Sequence, residues 1–489
     1  MKKMIFGSLT LSTFALALLL TPINFVSAQT TKKFEPAKLR DDFHIARQCL
    51  EEGHPGLYRH TKKSDLDRIF DNTEKSLDHP MDFYEFYRLM TLPIAAIKCG
   101  HTDLSPSPEV QREIELLPRL PFDVRALGSR VFIFRDYAQA GALAGREILS
   151  INGVPADRIL CTMLAAESQD GEIQTSRERV IAQHFGSNLI LLLGLRAPYE
   201  MALAGSGTNQ PAKVHVTGVK HEELVKLSKT LYPQDQGSKP FGDLKFLDDG
   251  KIAHLTYSFF GVNVEEGKTF MKHSFEAIQS QGSKTLILDL RGNLGGENEL
   301  GVLLFSYLVS TPFKYYDEMI VNRMSGSYRL AKYAGDGRRY TVPEGLAARR
   351  PDGKIHILTD PLLGPQRPNK PTFTGTIYTL MDGRCFSTTA EFLTAVHAHH
   401  RATFIGEESA GGYYGNNSGD VPRITLPNTE LGIYVPLVSY YMAVGGDHQH
   451  EAARGVIPDF PVQYTIADLL TGTDKEFALA LDLCRKGRR

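Results

Sequence analysis

The sequence predicts an α/β protein in which a helical segment and a β-rich segment precede a strand–helix alternation. Three observations carry that expectation. Apolar residues between 39 and 98 recur at helical spacing. Between 118 and 235, short alternating runs are punctuated by turn dipeptides. From about 241 onward, short apolar runs alternate with longer helical stretches, the pattern of an α/β layer structure.

The chain opens with Lys2 and Lys3, an apolar stretch from Ile5 to Leu20, and Val26-Ser27-Ala28, a small-residue cleavage site. Residues 1–28 therefore read as a secretory signal peptide. The stretch is short for a membrane span and is followed by Pro22 and Asn24. No later run is long enough to span, and Leu189–Leu195 belongs in a core. An exported protein, periplasmic or secreted, is expected. Cleavage leaves 53 basic and 56 acidic residues, net −3. That balance gives no electrostatic reason to expect nucleic acid or an acidic membrane as partner. The five cysteines, Cys49, Cys99, Cys161, Cys385 and Cys484, fit no metal spacing. They allow a pair such as Cys49–Cys99 without identifying it. Cys385, two residues before Ser387, reads as buried and inert.

Residues 29–115 form the expected N-terminal helical domain. Phe43, Ile45, Ala46 and Leu50 mark one helical face, and His54-Pro55-Gly56 stops that helix. Helices are expected over 64–77 and 81–98. Asp82 and Glu85 have capping-box spacing, and Gly100 suits a left-handed helix end. His101 follows on the turn. Residues 116–235 form a small β-rich domain, with strands at 122–125 and 130–134 around Leu127-Gly128-Ser129. The stretch Gly145–Gly153 alternates and then turns at Asn152-Gly153. It resembles the strand–turn phrase of PDZ domains. Linkers are expected at 209–212 and 233–240.

Residues 241–470 form the expected catalytic α/β domain. Strands fall at 252–260, 286–290, 377–381 and 402–405, and helices at 264–281, 298–309 and 388–399. The polar stretch 314–366 reads as an irregular surface excursion over the site. Residues 471–489 end the chain as a C-terminal helix.

Two turns bear chemistry. A buried strand from Lys284 runs into Asp289-Leu290-Arg291-Gly292-Asn293-Leu294-Gly295-Gly296. Gly295 and Gly296 allow backbone N–H groups to approach a ligand closely, as an oxyanion hole requires. Ser387 follows a second strand and precedes a helix. As a bare pattern it is equally a helix N-cap serine. The Thr388 N–H, at the positive helix end, is a candidate second donor. A serine hydroxyl needs a base. No Lys lies between Lys370 and Lys475, so a histidine is the remaining common base, and His101 is the first candidate. His397, His399 and His400, and separately His448 and His450, match no strong zinc pattern. Glu407-Glu408 either orients substrate or is a solvated turn.

Five stretches are then informative together: Glu52–Tyr58, Gly100–Asp103, Asp289–Gly296, Phe386–Phe392 and Gly455–Asp459. In this order, with the PDZ-like phrase between the second and third, the chain resembles the carboxy-terminal processing, or tail-specific, serine protease family. The tricorn-like and interphotoreceptor retinoid-binding-protein-like branch is the most similar. The resemblance implies a crotonase/ClpP-like catalytic domain of ββα units. It implies Ser387 as nucleophile, with oxyanion donors on the Gly295-Gly296 turn and at Thr388. Lysine-type members carry a Lys in the loop that reads Ser409-Ala-Gly-Gly-Tyr413 here. It is absent, and the tricorn-like branch instead has a His at the position of His101. That branch also has a Glu before its Gly-Val-x-Pro-Asp stretch, which Glu451 matches with one extra residue. The expected function is thus that of an exported serine peptidase with no metal or organic cofactor. Its substrate would be a polypeptide, held by the PDZ-like domain through its C-terminus. The alternatives are a non-catalytic apolar-ligand or peptide-binding protein on the same fold, and an esterase.

Overall fold

The computed structural model describes residues 32–205, 210–233, 240–445 and 451–487. The signal-peptide segment, Asn209 of the first expected linker, residues 234–239 of the second, and His448 and His450 lie outside them.

Three helices, Pro36–Gly53, Lys63–Lys75 and Phe83–Ile97, open the described chain. Asp82 and Glu85 form the expected capping box, with reciprocal bonds of 2.8 and 2.9 Å. The left-handed residue closing this helix is Lys98, with φ 58°, and not Gly100. Glycine is needed at 100 for another reason: a Cβ there would lie 2.9 Å from the Phe386 ring.

The middle segment is less purely β than its turns suggest. Five strands form the path of its sheet, Phe122–Leu127, Arg130–Asp136, Glu147–Ile151, Tyr199–Leu203 and Ala212–Val216, with Val154–Pro155 paired to the third. Asn152 and Gly153 both take positive φ, 48° and 77°, as a two-residue hairpin turn demands. Three helices accompany the sheet: Ala156–Ala166, Gln174–Leu191 and His221–Leu231. Leu189 to Leu193 and Leu195 are buried as expected. They belong to one core shared by the N-terminal helices, this sheet and Ile424, Ile433 and Val435.

The site rests on a six-stranded sheet. Its order is Phe460–Pro461, Thr403–Gly406, Thr376–Met381, Thr285–Asp289, Ile252–Tyr257 and Gly242–Leu247. All pairs are parallel except the last. Thr285–Asp289 is buried on both faces, which explains its unbroken apolar run. Leu286 and Leu288 join the core beneath the helices Val264–Gln281, Asn298–Ser306 and Thr388–Ala398. Ile287 faces the other side, where Ala480 and Phe477 of the helix Lys475–Lys486 cover it. Neighbouring parallel strands place their carboxyl ends side by side, the usual ligand edge of an open α/β sheet.

The stretch 314–366 is not an irregular excursion. Tyr316–Val321 is a strand paired antiparallel with Val438–Met442 and with Ile355–Ile357, in a second, five-stranded sheet. Tyr316 and Met319 to Val321 are buried. The pairing with Val438–Met442 joins segments more than a hundred residues apart, which local pattern does not reveal.

Candidate active site

Two adjacent strands deliver the two turns. Asp289 is paired with Leu380, so the chain leaves both strands at the same level. The turns then clasp each other. The Gly292 N–H donates to Asp382 Oδ1 at 3.0 Å, and the Phe386 N–H donates to the Asn293 carbonyl at 3.2 Å. Within the first turn, the Asn293 side chain donates to the Tyr257 carbonyl and accepts from the Gly295 N–H, at 2.8 and 2.9 Å. The Gly295 N–H is thereby engaged. Gly296 forms a parallel bridge to Phe260 that uses only the Phe260 N–H and carbonyl. The Gly296 carbonyl, on the opposite side, accepts from the Thr388 hydroxyl at 2.7 Å. Gly296 has a φ of 143°, a conformation open to glycine.

Gly295 provides the close approach. A Cβ there would lie 2.8 Å from Ser387 Cβ, 2.8 Å from the Phe386 carbonyl oxygen and 2.9 Å from the Thr388 nitrogen. Ser387 itself has φ 53° and ψ −129°, and its side chain makes no cap hydrogen bond. The plain N-cap reading therefore fails. A non-glycine residue in this region stores of order 1–3 kcal/mol of strain. The clasped turns hold it there, and its side chain makes no capping bond to the helix it precedes.

Toward that side chain comes His101. Its Nε2 lies 3.1 Å from Ser387 Oγ, across 286 residues of sequence. The half-buried ring stacks on Phe386 with centroids 4.4 Å apart. Burial lowers its pKa to about 4, so at neutral pH the imidazole is unprotonated, as a base must be. The turn carrying it is pinned from both sides. Asp170, fully buried, accepts from the Gly100 N–H at 2.8 Å and from the Gly412 N–H at 3.3 Å. Leu104 and Ser105 pair with Ile433 and Gly432. Asp170 was not anticipated; the Asp170-Gly171 turn dipeptide was its one signal.

Glu451 is not hydrogen-bonded to His101. Its side chain is 80% exposed and lies 3.9 Å from Arg454, and His101 Nδ1 is buried with no partner among the described residues. Its loop is nevertheless a neighbour: the Glu172 N–H donates to the Ala453 carbonyl at 2.8 Å, beside Asp170.

Glu407 and Glu408 are structural rather than solvated. Glu407 accepts from Nε and Nη2 of Arg179 and from the Gly383 N–H, and Glu408 accepts from Arg454 bidentately and from the Gly455 N–H. His397 contacts the Tyr413 hydroxyl at 2.9 Å, and His399 contacts the Ala395 carbonyl at 2.9 Å. All five cysteines are free thiols. Cys385 is buried, and its Sγ donates to the Leu290 carbonyl at 3.2 Å. Burial raises its pKa well above the usual thiol value, so it is not the nucleophile.

A second buried carboxylate lies one helical turn beyond Ser387. Glu391 accepts from the Tyr316 hydroxyl and from Asn416 Nδ2, the latter at 2.9 Å, and burial raises its pKa to about 7. It fastens the Ser387 helix to the second sheet.

Comparison with known proteins adds a family-model match and a fold. Residues 251–462 match the family model Peptidase family S41. A search of curated proteins finds no match. Among solved structures, a serine-to-alanine mutant of CPAF is 14% identical with a TM-score of 0.64, covering 93% of this chain and 99% of that one. Mature CPAF complexed with lactacystin is 14% identical with a TM-score of 0.62, covering 92% and 99%. At that identity the likeness is one of fold.

Proposed function

We propose that this chain is a serine-type peptidase, as the match of residues 251–462 to Peptidase family S41 supports, with Ser387 as its nucleophile and His101 as its general base. The observation that carries this is the 3.1 Å contact between Ser387 Oγ and His101 Nε2. In this reading Ser387 Oγ attacks the peptide carbonyl carbon as its proton passes to Nε2. The tetrahedral oxyanion accepts from the Gly296 and Thr388 N–H groups, and Gly295 contributes the close approach that sets those two donors side by side. His101 then returns the proton to the leaving amine, and water repeats the cycle on the acyl-enzyme. Asp170 positions the His101 turn without touching substrate. Glu451, whose loop adjoins Asp170 through the Glu172–Ala453 bond, would orient or polarise this network only once its exposed side chain turns inward toward His101 Nδ1.

The wider reading follows the same resemblance. The catalytic part takes a crotonase/ClpP-like arrangement of ββα units. The sheet within 116–235 acts as a PDZ-like module that receives a polypeptide by its C-terminus. The protein is exported after cleavage at Ala28. No described helix is long and apolar enough to cross a membrane.

A fluorophosphonate probe tests the site. It should label the wild type at Ser387, fail with Ser387→Ala, and label His101→Ala at least about 10²-fold more slowly, the usual contribution of a positioned base. Undiminished labelling of either variant would refute the assignment. Absence of labelling together with tight apolar-ligand binding would favour the binding-protein alternative.

A further inference from the structure

A cavity of about 450 Å³ opens between the turn after the first helix and the second sheet. None of the residues assigned above to catalysis lines it. Its volume is that of a small-molecule site. Its walls are Pro55, Gly56, Tyr58 and Arg59, Ile320 to Asn322, the hairpin around Gly353, and Tyr441.

The charge of this cavity is one-sided. Arg59, Arg349 and Lys354 line it, and no Asp or Glu does. The Arg59 guanidinium donates to the carbonyls of Tyr414 (2.9 Å), Asn416 and Tyr440 (both 3.3 Å), and stacks on the Tyr441 ring at 4.5 Å. Carbonyl dipoles fix its direction without cancelling its charge. Lys354 Nζ lies 5.5 Å from the same ring. Arg349 donates to the Gly353 carbonyl. Among the described residues none of the three is paired with a carboxylate, whereas Arg323, Arg454 and Arg291 each are. The nearest acid in sequence, Asp352, is turned into its own hairpin, where it accepts from the Lys354 N–H and contacts His356 Nε2, both at 2.9 Å. Glu318 lies 3.9 Å from the other nitrogen of His356.

Three like charges around one cavity repel one another, and an anion placed among them removes that repulsion while gaining charge-assisted hydrogen bonds. We propose that this cleft binds a small anion carrying two or more negative charges, held by Arg59, Arg349 and Lys354. Arg59 is the fixed element, because its side chain is locked by three carbonyls. Arg349 and Lys354 are exposed and close over the ligand from the hairpin.

The test is isothermal titration of the full chain with pyrophosphate and, separately, citrate, against sodium chloride at matched ionic strength. Saturable one-to-one binding of either probe is expected. Preference for pyrophosphate identifies a phosphate ligand, and preference for citrate a polycarboxylate. Because their side chains are exposed, Arg349→Gln and Lys354→Gln should leave the thermal midpoint unchanged while each weakens binding about tenfold or more, the effect of one lost charge-assisted hydrogen bond. Absence of saturable binding by both probes, or binding unchanged in the double variant, would overturn the proposal.

Discussion

Gly292 and Gly295 lie in the same turn with φ of 79° and 95°, yet the structure separates what a methyl group would do at each. At Gly292 a Cβ meets nothing within 4 Å, whereas at Gly295 it meets Ser387 Cβ and the Phe386 carbonyl at 2.8 Å. Gly292→Ala therefore carries only the left-handed backbone penalty, roughly 1–2 kcal/mol. Gly295→Ala carries a similar penalty and a collision as well. Relaxing 2.8 Å to an ordinary carbon contact of about 3.5–4.0 Å moves the proposed nucleophile by about 1 Å, and such a displacement costs on the order of 10² in rate. We predict that kcat/KM on a peptide substrate falls about 10²-fold in Gly295→Ala and less than about threefold in Gly292→Ala, at comparable thermal midpoints. Equal losses in the two variants would show that turn strain, and not proximity to Ser387, explains the glycines. Near-wild-type turnover by Gly295→Ala would refute the close-approach argument outright.

Three other outcomes are expected. Burial lowers the pKa of His54 to about 3 and of His60 and His101 to about 4, from the usual 6.5. Between about 4 and 6.5 the unfolded chain thus binds more protons at these residues. Their contribution to stability is present above pH 6.5 and is lost as pH falls toward about 4, and the acid limb of kcat/KM should show an apparent pKa near 4. Denaturant midpoints and rates measured across pH 4–8 check both. Glu391 has the opposite sign, since its folded pKa of about 7 exceeds the usual 4.5. Its contribution is present below pH 4.5 and lost as pH rises to about 7, so Glu391→Gln should be at least as stable as the wild type at pH 8 by chemical denaturation. Asp170→Asn replaces one of two backbone acceptors with a donor facing an N–H, so kcat should drop about tenfold or more with KM little changed, at a stability cost of roughly 1–3 kcal/mol. Steady-state kinetics beside urea melts would expose a purely structural effect as unchanged kcat.

Much of this architecture was legible where local chemistry and tertiary context agree. The run from Lys284 to Asp289 reads as a buried strand because it is one, covered on both faces. The helix Val264–Gln281 begins at Asn263, whose side chain caps it, and ends at the left-handed Gly282, so its bounds were visible in the sequence. Ser387 and His101 could be named as candidates, but only their meeting distinguishes a nucleophile from an N-cap. Failures share a cause. Gly100 is glycine because of Phe386, nearly three hundred residues away. The helix Gln174–Leu191 ends in consecutive buried apolar residues, so it shows no one-sided stripe and its last turns read only as core. Tyr316–Val321 is a strand because Ser439 to Met442 lies beside it, and no window of local sequence contains both partners.

The long chain separation between the proposed base and nucleophile has a consequence for how activity is lost. One hydroxyl–imidazole contact spans two parts of the chain whose apolar cores differ, and ties such as Asp170 to Gly412 and Leu104 to Ile433 hold those parts together. Any loosening that lets the first helices drift from the parallel sheet disarms the enzyme while both parts keep their backbone ladders. In a urea titration, catalysis should vanish at lower denaturant than helical circular dichroism, so a partly opened molecule is a harmless one.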